Sequence, residues 1–332
     1  MEKDKKEIKM KIKLLTHCDL DGVGCAILAY LAFGRDNVDV EFCNYDDVDG
    51  KIREFYLYDN PEEYDAIYIT DISVDEEVAA EIDEMVEIGQ KWRLFDHHAT
   101  ALWLNEYEWC EVIVAYDNGV KTSGTELFFK HLDKHGYLDE YEDWKVVNIS
   151  RFVIMVRDYD TWRWKELGDG GLVCKQVNDL FHMYGREKFI GWAMNQIQEI
   201  DYISPLQTFP CFSVTDKALL EQKQREIDIY VEAKNKQLVE KIDQFGHTYG
   251  LVFADRFVSE LGHRLSELHP KLDYIAMIDI SHGTISYRTT SEDIDLGGEI
   301  AHSYGGGGHR KAAGSRFDIS VVRDLVIREV FG

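Results

Sequence analysis

Three short apolar runs, far apart in the chain, each end in acid and histidine. Ile12-Lys13-Leu14-Leu15-Thr16 leads into His17-Cys18-Asp19-Leu20-Asp21-Gly22, Ala66-Ile67-Tyr68-Ile69 into Thr70-Asp71, and Trp92-Arg93-Leu94-Phe95 into Asp96-His97-His98. Short apolar runs with β-branched and aromatic residues read as buried strands. Helical patterns fall between them, and alternating strands and helices imply a parallel sheet with right-handed crossovers. In an open sheet of this kind ligands bind outside the carboxyl ends of the strands. One fold therefore brings His17, Asp19, Asp21, Asp71, Asp96, His97 and His98 to a single rim. Their oxygen and nitrogen donors suit a divalent ion such as Mn²⁺, Mg²⁺ or Zn²⁺. There are enough of them for two ions, the arrangement used for phosphoryl displacement.

The helix after the first strand is expected over Gly22 to Phe33, and Val38 to Phe42 reads as a second strand. Ser73-Val74-Asp75-Glu76 has capping-box spacing. The helix it opens carries Val78, Ile82, Met85 and Val86 on one face and stops at Gly89. Its acids, Glu77, Glu81, Asp83, Glu84 and Glu87, fall on the solvated face. Val112 to Tyr116 reads as another strand, and Ser123-Gly124-Thr125-Glu126 as a second capping box before a helix with Leu127, Phe128 and Leu132. Trp144 to about Ile203 is helical and aromatic, Pro205 and Pro210 bracket a break, and Thr215 to Phe245 reads as one connecting helix. After Gly246 the pattern turns to strands at Tyr249–Phe253, Tyr274–Ile280 and Thr284–Arg288, with a helix near Ser259 to Leu268. The expectation is an α/β protein. A parallel-sheet domain with helices on both faces spans residues 1–205, a helical linker 206–246, and a smaller α/β domain with a mixed sheet 247–332.

Length and a hydrophobic fraction of 45% over 332 residues support two folded domains rather than disorder. The charge balance, 37 basic against 62 acidic residues, gives −25. That argues against a grip on long nucleic acid through many phosphates, which needs dense Lys and Arg. A short anionic substrate held by metals and a few local cations is compatible with it. No apolar run approaches the roughly 20 residues of a membrane span, and Met1 to Glu7 are charged without a secretory apolar region. A cytoplasmic protein is expected. None of the six cysteines forms a Cys-x-x-Cys pair, so they read as thiols of a reducing compartment.

In His17-x-Asp19-x-Asp21 the three side chains of an extended segment point the same way. Gly22 permits a tight turn, though a polar turn with an Asp helix cap fits the same residues. Cys18 alternates away from His17 and Asp19. His97 and His98 diverge in an extended chain, so one can bind metal while the other faces substrate. Gly305-Gly306-Gly307-Gly308 offers backbone N–H groups to an anion, with His309 and Arg310 beside it. A flexible hairpin is the other reading. Ala312-Ala313-Gly314 fit a short helix packed under that loop.

Together, His17-Cys18-Asp19-Leu20-Asp21-Gly22, Asp71, Asp96-His97-His98 and the run from Gly305 to Gly314 resemble the DHH/DHHA1 phosphoesterase superfamily, in its order and over nearly the whole chain. The resemblance implies an N-terminal DHH domain, a C-terminal DHHA1 domain and two divalent ions, Mn²⁺ first and Mg²⁺ as the alternative. By motif position His17, Asp19 and Asp71 hold one ion. Asp21, Asp71, His97 and Asp158 hold the other, with Asp71 bridging and an activated water between them. The family's fourth acidic motif departs here to Asp158-Tyr159-Asp160-Thr161-Trp162, which leaves Asp160 as a competitor to Asp158. Asp96 would orient a ligand histidine, and His98 would contact the scissile phosphate or protonate the leaving oxygen. His309 and the N–H groups of Gly306, Gly307 and Gly308 would bind a phosphate or terminal nucleotide. Arg288 would clamp a phosphate, and Arg310 would cap a helix or face solvent. Tyr159, Trp162 and Trp164 offer a stacking surface or, more simply, core packing.

The activity implied is hydrolysis of short oligonucleotides or dinucleotides, of the nano-RNase or oligoribonuclease kind, with 3′-phosphoadenosine-5′-phosphate phosphatase activity as a possible companion. A RecJ-like single-strand DNA exonuclease, a cyclic- or linear-dinucleotide phosphodiesterase and a non-catalytic nucleotide-sensing module are the alternatives. An inorganic pyrophosphatase is opposed by the Gly305–Gly308 run, because that branch has a different second domain. Neither a membrane nor an obligatory protein partner is implied, and the oligomeric state is open.

Overall fold

The computed structural model describes residues 10–198 and 209–332. The charged start at Met1 to Glu7, the break at Pro205 and the expected boundary at residue 205 lie outside them. The chain divides into two units, Met1–Lys217 and Ala218–Gly332.

In the first unit strands β1 (Ile12–His17), β2 (Val38–Cys43), β3 (Ala66–Thr70), β4 (Trp92–Asp96) and β5 (Cys110–Val112) form an all-parallel sheet in the order β2-β1-β3-β4-β5. Helices α1 (Leu20–Phe33), α2 (Val48–Tyr58), α3 (Glu76–Glu87) and α4 (Gly124–Lys134) belong to this sheet region, and α5 (Asp143–Asp160), α6 (Asp169–Tyr184) and α7 (Arg186–Gln198) follow. Ile12, Leu14, Leu15, Ile69 and Leu94 are fully buried. That is why β1, β3 and β4 read as apolar runs broken only by Lys13 and Arg93: a parallel strand covered on both faces has little solvent side to alternate toward. The same burial drives α1, in which nearly every residue is inaccessible.

Two local readings shift. α3 begins at Glu76 and is capped by Asp75, whose carboxylate accepts the Val78 N–H at 2.8 Å. Aspartate caps as well as serine, and the later start places Val78, Ala79 and Ile82 in the core. β5 ends at Val112 because Leu94 pairs with Cys110 and the Asp96 carbonyl takes the Ile113 N–H.

The second unit holds most of α8 (Val214–Asn235), then β6 (Val239–Ile242), β7 (Thr248–Phe253), α9 (Val258–Leu268), β8 (Tyr274–Asp279), β9 (Thr284–Arg288), β10 (Gly307–His309), β11 (Ala312–Arg316) and α10 (Ile319–Val326). The sheet runs β10-β11-β9-β8-β7-β6 and is mixed, with β7 and β8 parallel and the other neighbours antiparallel. The connecting helix expected to reach Phe245 stops at Asn235, and β6 pairs with β7 as an exposed edge strand. Ala312 to Gly314 form a strand rather than a short helix. A Cβ on Gly306 would lie 2.0 Å from the Gly314 carbonyl, so the small residues let the chain cross close to that strand. Ile227, Tyr230 and Val231 of α8 pack with Val252, Leu261 and Ile275 in one core of this unit.

Candidate metal centre

β1 delivers His17 to the sheet rim, and the chain turns at once into α1. A Cβ on Gly22 would sit 2.0 Å from the His17 carbonyl, so only glycine permits the turn. Asp19 serves two partners. Its Oδ1 caps α1 by accepting the N–H groups of Asp21 (3.0 Å) and Gly22 (3.1 Å), while Oδ2 lies 3.1 Å from His17 Nδ1. The cap and the ligand readings of this motif are thus compatible. Beneath it, buried Thr70 Oγ1 donates to Thr16 Oγ1 at 2.8 Å and ties the ends of β1 and β3 together.

Asp71 follows β3 with a left-handed backbone, φ 58°, and is buried. Its two oxygens face different partners. Oδ2 lies 3.6 Å from His17 Nδ1 and Oδ1 lies 3.3 Å from His97 Nε2. His97 Nε2 also lies 3.7 Å from Asp21 Oδ2 and 3.5 Å from Asp160 Oδ2. The donor atoms of His17, Asp19 and Asp71 form one group of metal-binding geometry, those of Asp21, His97 and Asp160 a second, and those of Asp71, Asp96, His97 and His98 a third.

Buried His17 Nδ1, Asp71 Oδ2, Asp96 Oδ2 and His97 Nε2 have no hydrogen-bond partner. Unpaired buried polar atoms are costly, and divalent cations would satisfy His17 Nδ1, Asp71 Oδ2 and His97 Nε2. Burial, then the charges of Asp21, Asp19 and Asp160, push the Asp71 carboxyl well above its ordinary range. Burial and the charges of Asp21 and Asp19 do the same to Asp160. Crowded acids of this kind fit a site for positive ions.

The two neighbouring histidines face different partners. His98 Nδ1 lies 2.7 Å from Asp96 Oδ1, and its Nε2 lies 3.0 Å from the Tyr45 hydroxyl. Burial opposes the charged ring of His98, but the Asp96 hydrogen bond and charge outweigh it and raise its pKa. Asp96 therefore addresses the ring of His98. It reaches His97 only through that residue's backbone N–H, at 2.8 Å.

Asp158 is drawn away from the rim. Its Oδ1 accepts from Arg157 Nε (3.0 Å), Arg157 Nη2 (2.8 Å) and Arg163 Nη1 (3.2 Å). Arg157 Nη1 also donates to Glu126 Oε1 at 2.9 Å. Of the two competing acids, the structure groups Asp160 with Asp21 and His97, its Oδ2 3.5 Å from His97 Nε2, and turns Asp158 toward the arginines. Two further contributors were not legible in the sequence. Asp21 is oriented by the start of α4, accepting the N–H groups of Gly124 (2.6 Å) and Thr125 (2.9 Å). A Cβ on Gly124 would approach Asp71 Cβ to 2.5 Å. The Ser123 cap is present, accepting the Glu126 N–H at 3.2 Å, but its spacing gave no sign that α4 points at Asp21. Tyr45, in the loop after β2, carried no signal in the sequence.

No family model matches the chain. It is 37% identical over 324 residues to oligoribonuclease NrnB of Bacillus subtilis (strain 168), an alignment spanning 96% of this chain and 75% of that protein. The chain belongs to the DHH/DHHA1 phosphoesterase superfamily. The fold agrees with solved DHH proteins. A DHH domain from a member of the s1p family of ribosomal proteins matches with TM-score 0.59 and 13% identity, over 96% of this chain and 85% of that one. Exonuclease RecJ bound to manganese matches with TM-score 0.55 and 14% identity, over 96% and 89%.

In the second unit Arg288 Nη1 donates to the Tyr287 carbonyl at 2.8 Å and Nη2 to Ser259 Oγ at 3.3 Å. Burial lowers its pKa. Among the described residues no carboxylate pairs with it. Gly307, Gly308 and His309 are exposed on the edge strand β10. The Gly306 N–H is already committed to the Ala301 carbonyl at 2.8 Å, which removes it from the expected anion donors. Arg310 reaches the Glu292 carbonyl at 2.6 Å. Among the described residues no helix is long and apolar enough to cross a membrane.

Proposed function

We propose that this DHH phosphoesterase hydrolyses phosphodiester bonds of short oligonucleotides, using two divalent ions, Mn²⁺ in the first instance. The observation that carries the reading is the Asp71 carboxylate, with one oxygen toward His17 and the other toward His97. A single side chain shared by two donor groups is what a two-ion centre needs. In this reading His17, Asp19 and Asp71 hold one ion, and Asp71, Asp21, His97 and Asp160 the other. When bound, such ions supply Lewis acidity and lower the pKa of water.

The remaining roles belong to the chain itself. The helix N-terminus at Gly124 and Thr125 fixes Asp21 by two N–H donors. Asp96 holds His98 and favours its protonated form, which suits it to contact the scissile phosphate and to give a proton to the leaving oxygen. The first unit is then the catalytic domain and the second the substrate-binding domain. There Arg288, Gly307, Gly308 and His309 take a phosphate or terminal nucleotide. Arg288 is half-buried with no carboxylate paired to it among the described residues, which favours a negative ligand. The name of the Bacillus subtilis relative supports RNA fragments as the substrate class.

The test is hydrolysis of 5′-labelled RNA and DNA, from dinucleotide to about a 25-mer, with Mn²⁺ and with products resolved by size. Rates greatest on the shortest RNAs are expected. Rates that rise with length on single-stranded DNA would replace this reading with a RecJ-like one. Absence of turnover at every length would redirect it to cyclic dinucleotides or to nucleotide sensing.

A further inference from the structure

Three described residues other than glycine have left-handed backbone: Asp71 (φ 58°), Trp162 (φ 64°) and Phe257 (φ 50°). For a bulky side chain this is an outlier, and such outliers persist where the surrounding structure aims a side chain. Asp71 is the centre of the rim. Phe257 is partly buried and packs against the core of the second unit. Trp162 follows the C-cap of α5, where helices commonly end in a left-handed residue, usually glycine, and here the position carries an indole.

Trp162 stands two residues beyond Asp160, whose Oδ2 is 3.5 Å from His97 Nε2. Two peptide units place their Cα atoms within about 7.6 Å of each other. The turn between them is tied down. Thr161 donates to the Arg157 carbonyl through both N (2.9 Å) and Oγ1 (2.7 Å), and the Trp162 N–H donates to the Tyr159 carbonyl at 3.1 Å. The other aromatics of the segment pack inward, with Tyr159 stacked on Trp164 at 6.2 Å and its hydroxyl accepting from Asn178. Trp162 is left 52% exposed, with the Lys165 ammonium 4.4 Å from its ring centroid.

We propose that Trp162 is the platform on which the nucleobase beside the scissile phosphate stacks. This rests on the oligonucleotide reading of the rim and names a specificity element of the same site. Every base presents a π-face, so an indole platform holds substrate without selecting sequence. The ring stands exposed beside the half-buried Tyr159–Trp164 stack, with the Lys165 ammonium against it.

The experiment compares wild type with Trp162→Gly and Trp162→Phe, on a dinucleotide and on dinucleotide analogues lacking one base. Glycine adopts this φ without penalty, so the Trp162→Gly protein is expected to melt at or above the wild-type temperature. Its KM for the dinucleotide is expected to rise about tenfold, the effect of one stacked base, with kcat little changed. Trp162→Phe should recover most of the loss, and the penalty should vanish on the analogue lacking the stacked base. An unchanged KM in Trp162→Gly overturns the proposal. So does an equal penalty on every analogue. Wild type that cleaves no oligonucleotide would overturn the underlying reading instead. Titration with AMP then decides the stacking question alone: tryptophan quenching present in wild type and lost in Trp162→Gly supports it, and equal quenching in both refutes it.

Discussion

Asp71 in the first unit is buried and Arg288 in the second is half-buried, and neither has an opposite permanent charge beside it. Asp71 faces histidines and other acids, and Arg288 faces a carbonyl and a serine hydroxyl. The Arg157 cluster between Glu126 and Asp158 shows what a paired arrangement looks like in the same protein. Burying an unpaired charge is expensive. The three cases therefore sort by what would relieve them. The rim calls for cations, Arg288 calls for an anion, and the Arg157 cluster is already ion-paired. The first two are the places where a ligand gains most by binding, and the third is structural.

The largest effect should come from Asp71. Asn tolerates a left-handed backbone, so Asp71→Asn removes the charge while keeping the turn. Turnover in saturating Mn²⁺ is expected to fall by more than about 10³-fold, beyond the loss of a single electrostatic donor. Thermal stability of the metal-stripped protein should hold or rise, because a repelled buried charge has gone. Retained turnover would break the assignment of the rim as a shared two-ion site.

Next comes the pair Asp160 and Asp158, which separates ligand from scaffold. Asp160→Asn is expected to cut turnover about 10²-fold and weaken metal affinity, with little change in melting temperature. Asp158→Asn should do the reverse, lowering stability by up to about 3 kcal/mol as Arg157 loses part of its pairing. Metal titrations and thermal melts of both variants read this directly. Equal losses of activity without loss of stability would return Asp158 to the site.

This pair also marks how far the sequence could be read. The strand ends were legible because apolar runs that stop at acid and histidine have few ways to fold, and β1, β3 and β4 do deliver His17, Asp71 and Asp96 to one rim. Asp158 and Asp160 lie in the last turn of a helix, where two residues differ by about 200° in direction. Which of them faces the rim is set by the pairing of Arg157 with Glu126, 31 residues away, and no local spacing encodes it. The same holds for Gly124 and Thr125, whose cap was visible but whose target, Asp21, is more than a hundred residues distant. β6 was hidden for another reason. An exposed edge strand has no buried face, so Val239 and Ile242 blended into the preceding helical pattern.

A smaller effect is expected at Arg288. Loss of a charge-assisted contact in Arg288→Ala should raise KM for oligonucleotide about 30-fold with kcat nearly unchanged, and Arg288→Lys should recover part of it. A fall in kcat with KM constant would show that the second unit acts on the reacting phosphate rather than on substrate binding.

The smallest effect distinguishes the two units by their response to acid. His131 of α4 packs among Phe95 (ring centroids 4.8 Å), Tyr68 (5.5 Å) and Phe128 (6.3 Å) in the first unit. Burial, then the charge of His135, lowers its pKa to about 4. The unfolded chain titrates near 6.5, so it takes up this proton before the folded protein does. The histidine's contribution is therefore complete above about pH 6.5 and is lost as pH falls toward 4. Because the ring is partly open to solvent, the loss is modest, a melting shift on the order of 3 °C. Replacing it by His131→Gln removes the titration and keeps an acceptor for the Tyr68 hydroxyl, 3.3 Å from His131 Nε2. The raised carboxyls of Asp71 and Asp160 act in the opposite sense, gaining stability as pH falls, and they are common to both proteins. The difference between the two melting curves isolates the ring. It should open between pH 6.5 and 4. A difference that is flat with pH would show that His131 is already charged in the fold.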